Sequence, residues 1–267
     1  MRPVIATFKF TLFALVSLIT TPMQLTLMRF YKGKGLYCLP MLWHKIICHI
    51  FRIKVTIHGK QHKDTQTIFI SNHISYLDIP VIGSTIQASF VAKKDVASWP
   101  VFGLLSKLQQ TAFISRDRGD AAQGKNTLDT MLHEGKNLII FPEGTSTDGQ
   151  SVKDFKSSLF AVTMQESLSH IKIQPITIKV ISADKKAITT QKERDLYAWH
   201  LDMETPLAPH LWLFARHRGA EISMTFHEPI SPQNFSDRKT LAKTCQLTVS
   251  NGLSTPNEST KERMTPQ

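Results

Sequence analysis

Residues 67–80 read TIFISNHISYLDIP, and this stretch joins an apolar strand to a polar loop and then to the start of a helix. Its first residues, 67–71, are mainly β-branched or aromatic, as strand residues usually are. Pro80 suits the first turn of the helix that we predict over residues 79–86. Ligands of α/β folds bind in loops at the carboxyl ends of strands. The loop that carries His73 and Asp78 is therefore the first candidate site.

The same alternation of short apolar runs with helical stretches continues along the chain. The predicted strands are residues 54–58, 67–71, 88–92, 111–115, 137–141, 172–180 and 221–227, and the predicted helices are residues 79–86, 99–109, 120–134, 157–167 and 209–217. This order predicts an α/β fold with a mixed, partly parallel sheet flanked by helices. We place the domain at residues 54–249 and predict that residues 250–267, which are polar and contain two prolines, form a disordered tail.

The residues before this domain are mostly apolar. Residues 10–28 form a run of 19 residues without a charge, close to the length that spans a bilayer. A second apolar segment, residues 35–53, contains Tyr37 and Trp43, whose rings suit a membrane interface. We predict a membrane-associated helical hairpin over residues 1–53, in which the first segment either spans the bilayer or lies in one leaflet. A cleaved signal peptide and a helix buried in a soluble protein are the alternatives.

The net charge of the chain also suits association with a membrane. The 267 residues carry a formal net charge of +11, from 32 basic and 21 acidic side chains. Such an excess suits nucleic acid or an anionic membrane surface. No nucleic-acid-binding motif is present in the sequence. The basic residues that flank the apolar segments are Lys32, Lys34, Lys45, Arg52 and Lys54. The sequence therefore favours an anionic membrane, contacted from its cytoplasmic face as at a bacterial inner membrane, and no nucleic acid.

Three widely spaced cysteines, Cys38, Cys48 and Cys245, give neither a disulfide framework nor zinc-ligand spacing. We predict three free thiols in a reducing compartment and no metal site.

His73 and Asp78 form the first chemical motif. If one continuous helix carried both, their side chains would point to different sides, so a turn between them is needed to bring the carboxylate back to the imidazole. A carboxylate that holds an imidazole orients the ring and stabilises its protonated form, as a general base requires. The simpler alternatives are a helix cap for Asp78 and a polar loop position for His73.

Two further motifs follow predicted strands. Residues 113–119, FISRDRG, place Arg116 and Arg118 where two guanidinium groups can clamp a phosphate or a carboxylate. Residues 141–149, FPEGTSTDG, place Glu143 where it can accept a hydrogen bond from a substrate hydroxyl, and Gly144 lets the backbone approach a ligand. Solvated turns are the alternative in both cases. The second motif lacks the second glycine of a nucleophile elbow, so a serine hydrolase is disfavoured.

Taken together, NHISYLD, FISRDRG, FPEGT and the later IQPITI resemble the four ordered blocks of the glycerolipid acyltransferase family, which includes 1-acylglycerol-3-phosphate acyltransferases. The resemblance covers roughly residues 35–230. It implies that His73 is the catalytic base, that Asp78 orients it, and that the second and third blocks bind the acceptor. These acceptor-binding residues are Arg116, Arg118, Glu143, Gly144, Thr145 and Ser146, and Pro175 occupies the fourth block. The resemblance also implies a membrane lipid acceptor and acyl carrier protein or a CoA thioester as acyl donor, with no other cofactor.

One position departs from the family pattern. Members that form phosphatidic acid typically read FPEGTR, whereas Ser146 follows Thr145 here, so a bidentate phosphate contact is missing. FPEGTSTDG, FKSS at residues 155–158, YAWH at 197–200 and FHEP at 226–229 are more similar to the branch that acylates lyso-ornithine lipid. We therefore expect a lysolipid O-acyltransferase whose acceptor is lyso-ornithine lipid. The alternatives are a phosphatidic-acid-forming acyltransferase, a lipase-like hydrolase, and an inactive membrane-anchored lipid-binding protein.

Overall fold

A computed structural model describes residues 2–115 and 121–255 of the chain. The described residues form an eight-stranded sheet. Its strands are β1 (Ile53–His58), β2 (Thr67–Ser71), β3 (Ser89–Lys93), β4 (Ala112–Ile114), β5 (Leu138–Ile140), β6 (Lys172–Ala183), β7 (Lys186–Ala187) and β8 (Ala220–Phe226). All seven predicted strands are present, with ends that differ by up to three residues. The added strand, β7, is only two residues long.

The sheet is mixed, as predicted. Its strand order is β1-β8-β6-β2-β5-β3-β4, with β7 paired to β6. Five neighbouring pairs are parallel, and β8 and β7 run antiparallel to β6. Strand β2 lies between β5 and β6, both parallel to it, so the carboxyl ends of all three strands meet at one edge. This edge is where a ligand is expected in such a fold.

Helices cover both faces of the sheet. They are α1 (Arg2–Phe30), α2 (Cys38–Phe51), α3 (Asp78–Gly83), α4 (Phe102–Leu108), α5 (Ala121–His133), α6 (Gln191–Arg194), α7 (Leu207–Arg216) and α8 (Arg238–Ser254). The helix predicted over residues 157–167 is instead a 3-10 helix, Ser157–Met164, followed by a second one at Glu166–Leu168. Gln165 has an extended backbone between them and ends the first one.

Helix α8 was not predicted, and it enters the predicted tail. Asp237 caps its N-terminus by accepting hydrogen bonds from the backbone N–H groups of Lys239 and Thr240. The helix continues to Ser254 because Val249 and Leu253 pack into the core beneath the sheet. Residues 250–254 of the predicted tail are therefore helical, while residues 256–267 lie outside the described residues.

Strand β2 is buried on both faces, as a central parallel strand should be. Ile68 and Ile70 point to the core cluster beneath α5 and α8, and Phe69 points to the cluster on the opposite face. Ile47 and Phe51 of α2 belong to that second cluster. The predicted boundary between the membrane-associated hairpin and the domain, at residue 53, remains a prediction. Helix α2 nevertheless packs in the same core as the sheet.

Helix α1 is held along one side only. The Phe10 ring packs against the rings of Phe51 and Trp212, at centroid distances of 5.8 and 5.7 Å. The Trp43 indole N–H donates to Ser17 Oγ at 3.1 Å. The other side of the helix exposes Phe8, Leu15, Leu18, Ile19, Met23 and Leu25. Within the described residues, α1 is the one helix long and apolar enough to cross a membrane, and only 11% of its apolar window is buried. This exposed apolar face supports membrane association.

We expect the full-length protein to stay with membranes after a high-salt wash, because apolar burial is not screened by salt. Replacing Leu15, Leu18 and Ile19 with serine should release it, since these three side chains form much of the exposed apolar face of α1. Sedimentation of washed membranes measures the bound fraction.

Replacing Lys32 and Lys34 with glutamine is the matched control and should leave most of the protein bound. Release of the wild type by salt alone would show that charge, rather than the apolar face, holds the protein to the membrane.

Candidate active site

The first and third motifs meet at the carboxyl edge of the sheet. Ile70 of β2 lies opposite Ile140 of β5 in the parallel register. The loops that follow these two strands therefore start side by side. One loop carries His73 and Asp78, and the other carries Glu143 and Gly144. The topology explains why motifs 70 residues apart in sequence form one site.

His73 and Asp78 are hydrogen-bonded, as the sequence predicts. The distance from His73 Nδ1 to Asp78 Oδ2 is 2.8 Å. The carboxylate has no exposed surface, while the imidazole is 20% exposed. An ionised carboxylate can only accept, so Nδ1 carries the hydrogen and Nε2 keeps its lone pair. The pair thus presents one basic nitrogen on a ring of fixed orientation.

Asp78 also closes the loop between them. Oδ2 accepts hydrogen bonds from the backbone N–H groups of Ile74 and Ser75, at 2.7 and 3.0 Å. Both donors precede α3, and the helix has no side-chain cap at its N-terminus. Asp78 is therefore not a simple helix cap, because its carboxylate folds the loop back towards His73.

Tyr197 is a site residue that the motif analysis did not identify. Its hydroxyl donates to Asp78 Oδ1 at 2.9 Å, and its side chain is completely buried. Burial, together with the nearby Asp78 carboxylate, raises the pKa of Tyr197 well above its ordinary value, so the phenol stays a donor. Two residues later, the Trp199 backbone N–H donates to the Ile74 carbonyl at 2.9 Å. The YAWH segment was the available signal, although its sequence did not reveal this contact.

Glu143 has other partners than the expected substrate hydroxyl. Oε1 accepts from the His73 backbone N–H at 2.7 Å, and Oε2 accepts from the Lys153 backbone N–H at 2.8 Å. The side chain is buried, and burial raises the pKa of the Glu143 carboxyl to about 7. Since both oxygens already accept from the backbone, the structure favours a positioning residue that ties the two loops together.

The remaining groups around His73 fix its backbone and its ring. The backbone N–H and the hydroxyl of Thr147 both donate to the His73 carbonyl, at 2.9 and 3.1 Å. The imidazole stacks on the Phe141 ring with a centroid distance of 4.1 Å and an interplanar angle of 19°. Backbone and ring are thus held independently, which is the preorganisation that a catalytic base needs.

A cavity of about 820 Å³ opens beside His73, a volume in the usual range of ligand-binding pockets. Its walls are mostly apolar side chains from α1, α2, α4 and the sheet, among them Phe13, Leu39, Ile47, Phe90 and Leu105. Gly144, Thr145 and Ser146 line it, and their role in binding the acceptor stays a prediction. Asp78 and Glu143 lie behind this wall, and Arg116 and Arg118 lie outside the described residues.

Lys156 brings a positive charge to the same wall. Its backbone N–H donates to the Pro142 carbonyl at 3.0 Å, which holds the FKSS segment against the FPEG loop. The side chain crosses Gly144 so closely that a Cβ there would lie 2.6 Å from Lys156 Nζ. Gly144 also has a φ of 69°, which disfavours other residues. Glycine thus makes room for the lysine, which sequence reasoning had not marked as a site residue.

Comparisons with known proteins agree on one family. A model of the Acyltransferase family matches residues 52–179. Lyso-ornithine lipid O-acyltransferase of Brucella abortus is 33% identical over 216 residues, covering 79% of this chain and 80% of that protein. 1-Acyl-sn-glycerol-3-phosphate acyltransferase of Neisseria gonorrhoeae is 35% identical over 91 residues, covering 34% and 36%. The crystal structure of the 1-acyl-sn-glycerophosphate acyltransferase of Thermotoga maritima has the same fold, with a TM-score of 0.68, 20% identity and full coverage of both chains.

We expect Tyr197→Phe to lower kcat/KM about tenfold or more, since a hydrogen bond to a charged group contributes about 1.5–3 kcal/mol. Loss of the phenol leaves more negative charge on Asp78, which stabilises the protonated imidazole. The acidic limb of the pH–rate profile should therefore move to higher pH.

Tyr76→Phe is the matched control, because the Tyr76 hydroxyl bonds to His210 Nδ1 at 2.8 Å and not to Asp78. An unchanged pH profile in Tyr197→Phe, or an equal shift in the control, would contradict a role for Tyr197 in positioning Asp78.

Proposed function

The chain belongs to the acyltransferase family, and we propose that it transfers a fatty acyl group from a thioester to the hydroxyl group of lyso-ornithine lipid. The observation that carries the proposal is the His73 Nδ1–Asp78 Oδ2 hydrogen bond at the mouth of an apolar cavity. A base beside a cavity of this kind suits proton removal from a lipid hydroxyl. The long match to a lyso-ornithine lipid O-acyltransferase supports the choice of acceptor.

The proposed reaction is a direct transfer. His73 Nε2 takes the proton of the acceptor hydroxyl while the oxygen attacks the thioester carbonyl carbon. Asp78 stabilises the resulting imidazolium through Nδ1. The tetrahedral intermediate then collapses, the carbon–sulfur bond breaks, and the imidazolium returns its proton to the leaving sulfur. The products are the ester and a free thiol, so atoms and protons balance without a covalent acyl-enzyme.

The substrates are assigned to the site by their chemistry. The apolar cavity takes a fatty acyl chain, whose methylene groups each gain about 0.8 kcal/mol on burial. The thioester is acyl-CoA or acyl carrier protein, and we propose no other cofactor. The basic residues around the apolar segments support the proposal that the domain lies on the cytoplasmic face of an anionic membrane. The same charges would attract an acidic carrier protein.

The head-group proposal rests on Ser146 and Lys156. Ser146 stands where relatives that form phosphatidic acid carry an arginine, and it lines the cavity. Lys156 lines the same wall, and its single charge suits the carboxylate of an amino-acid head group. A phosphomonoester carries more negative charge and gains more from a bidentate guanidinium.

Three alternatives make different predictions. Transfer to lysophosphatidate is supported by shorter matches, such as that to the Neisseria enzyme. A hydrolase would need an activated nucleophile, yet in the described part of the chain no serine or cysteine is hydrogen-bonded to the His73 ring. A hydrolase would also release free fatty acid when no acceptor is present. An inactive lipid-binding protein has no need of the hydrogen bonds that fix the His73 ring and backbone.

His73→Ala should lower turnover at least ~10²-fold, the usual contribution of a positioned acid–base group. The purified variant should remain folded by circular dichroism, with a lower melting temperature, because the buried Asp78 carboxylate loses one hydrogen-bond donor. His170→Ala, which removes an exposed histidine elsewhere, is the control. Near-normal transfer by the His73 variant would refute the mechanism.

We also expect faster acylation of lyso-ornithine lipid than of lysophosphatidate. Ser146→Arg should shift the ratio of kcat/KM values towards lysophosphatidate by about 1.5–3 kcal/mol at most, typical of a charged hydrogen bond. Both acceptors are measured in mixed micelles, for the wild type and the variant.

Ser146→Gln is the matched control, since it adds a long polar side chain without charge. If the wild type already prefers lysophosphatidate, the acceptor assignment is wrong, although the acyltransferase assignment stands.

A further inference from the structure

The segment that contains Trp199 is bound directly to the loop that carries the proposed base. The Trp199 backbone N–H donates to the Ile74 carbonyl at 2.9 Å. The preceding carbonyl, that of His73, accepts from the Thr147 backbone N–H at 2.9 Å. Two consecutive peptide groups of one loop thus hold two other segments, and both Ser146 and Trp199 line the cavity. The indole of Trp199 therefore belongs to the part of the site where the acceptor reacts.

The polar atom of the Trp199 side chain is already engaged. Its indole N–H donates to the Thr205 carbonyl at 3.0 Å. The indole ring lies edge-to-face with the Tyr76 ring at a centroid distance of 5.9 Å, and the side chain is half-buried. What Trp199 offers to a substrate in the cavity is therefore its ring. The negative face of an indole attracts cations as well as apolar groups.

The charges in the cavity wall are of one sign. Among the described residues that line the cavity, Lys93 and Lys156 are the basic ones besides histidine, and none is an aspartate or a glutamate. The head group of the proposed acceptor carries a carboxylate and, several methylene groups away, an ammonium group. Lys156 suits the carboxylate, but the ammonium has no acidic partner in the described wall. Because an unpaired buried charge is very unfavourable, the ammonium must either stay in water or contact an aromatic ring.

Three tryptophans line the cavity, and they differ in their surroundings. The Trp43 ring packs against the Phe13 ring at 5.8 Å between centroids, in the apolar part of the wall between α1 and α2. Trp99 directly follows the 3-10 helix Lys94–Ser98, and the lysine that begins this helix repels a cation. Trp199 has no lysine or arginine within four residues on either side in the sequence. Of the three indoles, Trp199 is therefore the one best placed to hold an ammonium group near the base.

We propose that the Trp199 ring binds the side-chain ammonium group of the acceptor's amino-acid head group, while Lys156 binds its carboxylate. The inference rests on the proposed function, because it takes lyso-ornithine lipid as the acceptor. A cation–π contact needs no directed N–H donor, so the ring accepts a methylated ammonium group as well. Two residues of one short segment thus have separate tasks, since Tyr197 positions Asp78 and Trp199 selects a cationic head group.

Three acceptors that differ only at the end of the head-group side chain test the assignment in the wild-type protein. They carry the ammonium group of ornithine, a trimethylammonium group, or the isosteric methyl group of norleucine, and kcat/KM is measured in mixed micelles. The ornithine acceptor should exceed the norleucine acceptor about two- to thirtyfold, the range of a cation–π contact. The trimethylated acceptor should stay within about threefold of the ornithine acceptor, because aromatic rings bind quaternary ammonium groups well. Equal rates for the ornithine and norleucine acceptors would overturn the proposal.

Variants then locate the preference for a charged acceptor. Trp199→Leu should abolish it, and Trp199→Phe should keep part of it, because a phenyl ring binds cations less well than an indole. A loosened segment would slow all three acceptors alike, so the ratio of their kcat/KM values reports on the ring itself. Trp99→Leu is the matched control, since it removes another indole from the cavity wall and should leave the ratio unchanged. A preference that survives in Trp199→Leu would refute the assignment.

Asp202 is the competing partner for the ammonium group. It follows Leu201, which lines the cavity and is 71% exposed, and its own side chain is 84% exposed. A carboxylate binds an ammonium group most strongly through N–H hydrogen bonds, which trimethylation removes. Loss of the preference on trimethylation, or in Asp202→Asn, would therefore overturn the assignment to Trp199.

The same assay separates this inference from the proposed function. If none of the three amino-acid lysolipids is acylated while lysophosphatidate is, the proposed acceptor is wrong and the Trp199 assignment falls with it. If lyso-ornithine lipid is acylated but shows no advantage over its norleucine counterpart, the proposed function stands and the Trp199 assignment alone is wrong.

Discussion

The buried carboxylate of Asp78 is the group on which the site depends. Removing a charge from water is very unfavourable unless hydrogen bonds replace the lost solvation. Asp78 receives four of them, from the His73 ring, the Ile74 and Ser75 backbone and the Tyr197 hydroxyl. The first three donors lie in the loop after β2, and Tyr197 lies 119 residues further along the chain than Asp78. Satisfying one carboxylate therefore fixes the ring, the loop and the position of the YAWH segment together.

Glu143 plays a parallel part for the backbone. It ties the loop after β5 to the loop after β2, and the register of these parallel strands sets the two loops at the same height. With Thr147 on the His73 carbonyl, the N–H and the C=O of one residue are both held. A base that is fixed through backbone and ring needs little reorganisation when the reaction starts.

Much of this arrangement is predictable from sequence, and the exceptions have physical reasons. The strands and motifs are predictable because short apolar runs and the loop residues that follow them are local signals. The His73–Asp78 contact was expected from the resemblance to the family motif, because the spacing alone equally allows a helix cap and a polar loop residue. Glu143 was expected to accept a hydrogen bond from the substrate. A carboxylate at a strand end can face either the ligand or the protein backbone, and the backbone N–H of Lys153, ten residues later, holds it towards the backbone. Tyr197 contacts Asp78, 119 residues away, and Lys156 crosses Gly144 because the connection after β5 folds back on itself. No periodicity in the sequence predicts either contact. Helix α8 has a mixed sequence that shows its apolar face only once the sheet is present.

The same helices serve the membrane and the cavity. Phe10 and Phe13 of α1 and Trp43 of α2 line the cavity, while Leu15 and Leu18 of α1 are exposed on the outside. Helix α1 therefore has one side on the cavity and another on the surface that we expect to contact the bilayer, so the cavity lies one helix away from that surface. A chain that passed directly between the two would avoid exposing its apolar surface to water.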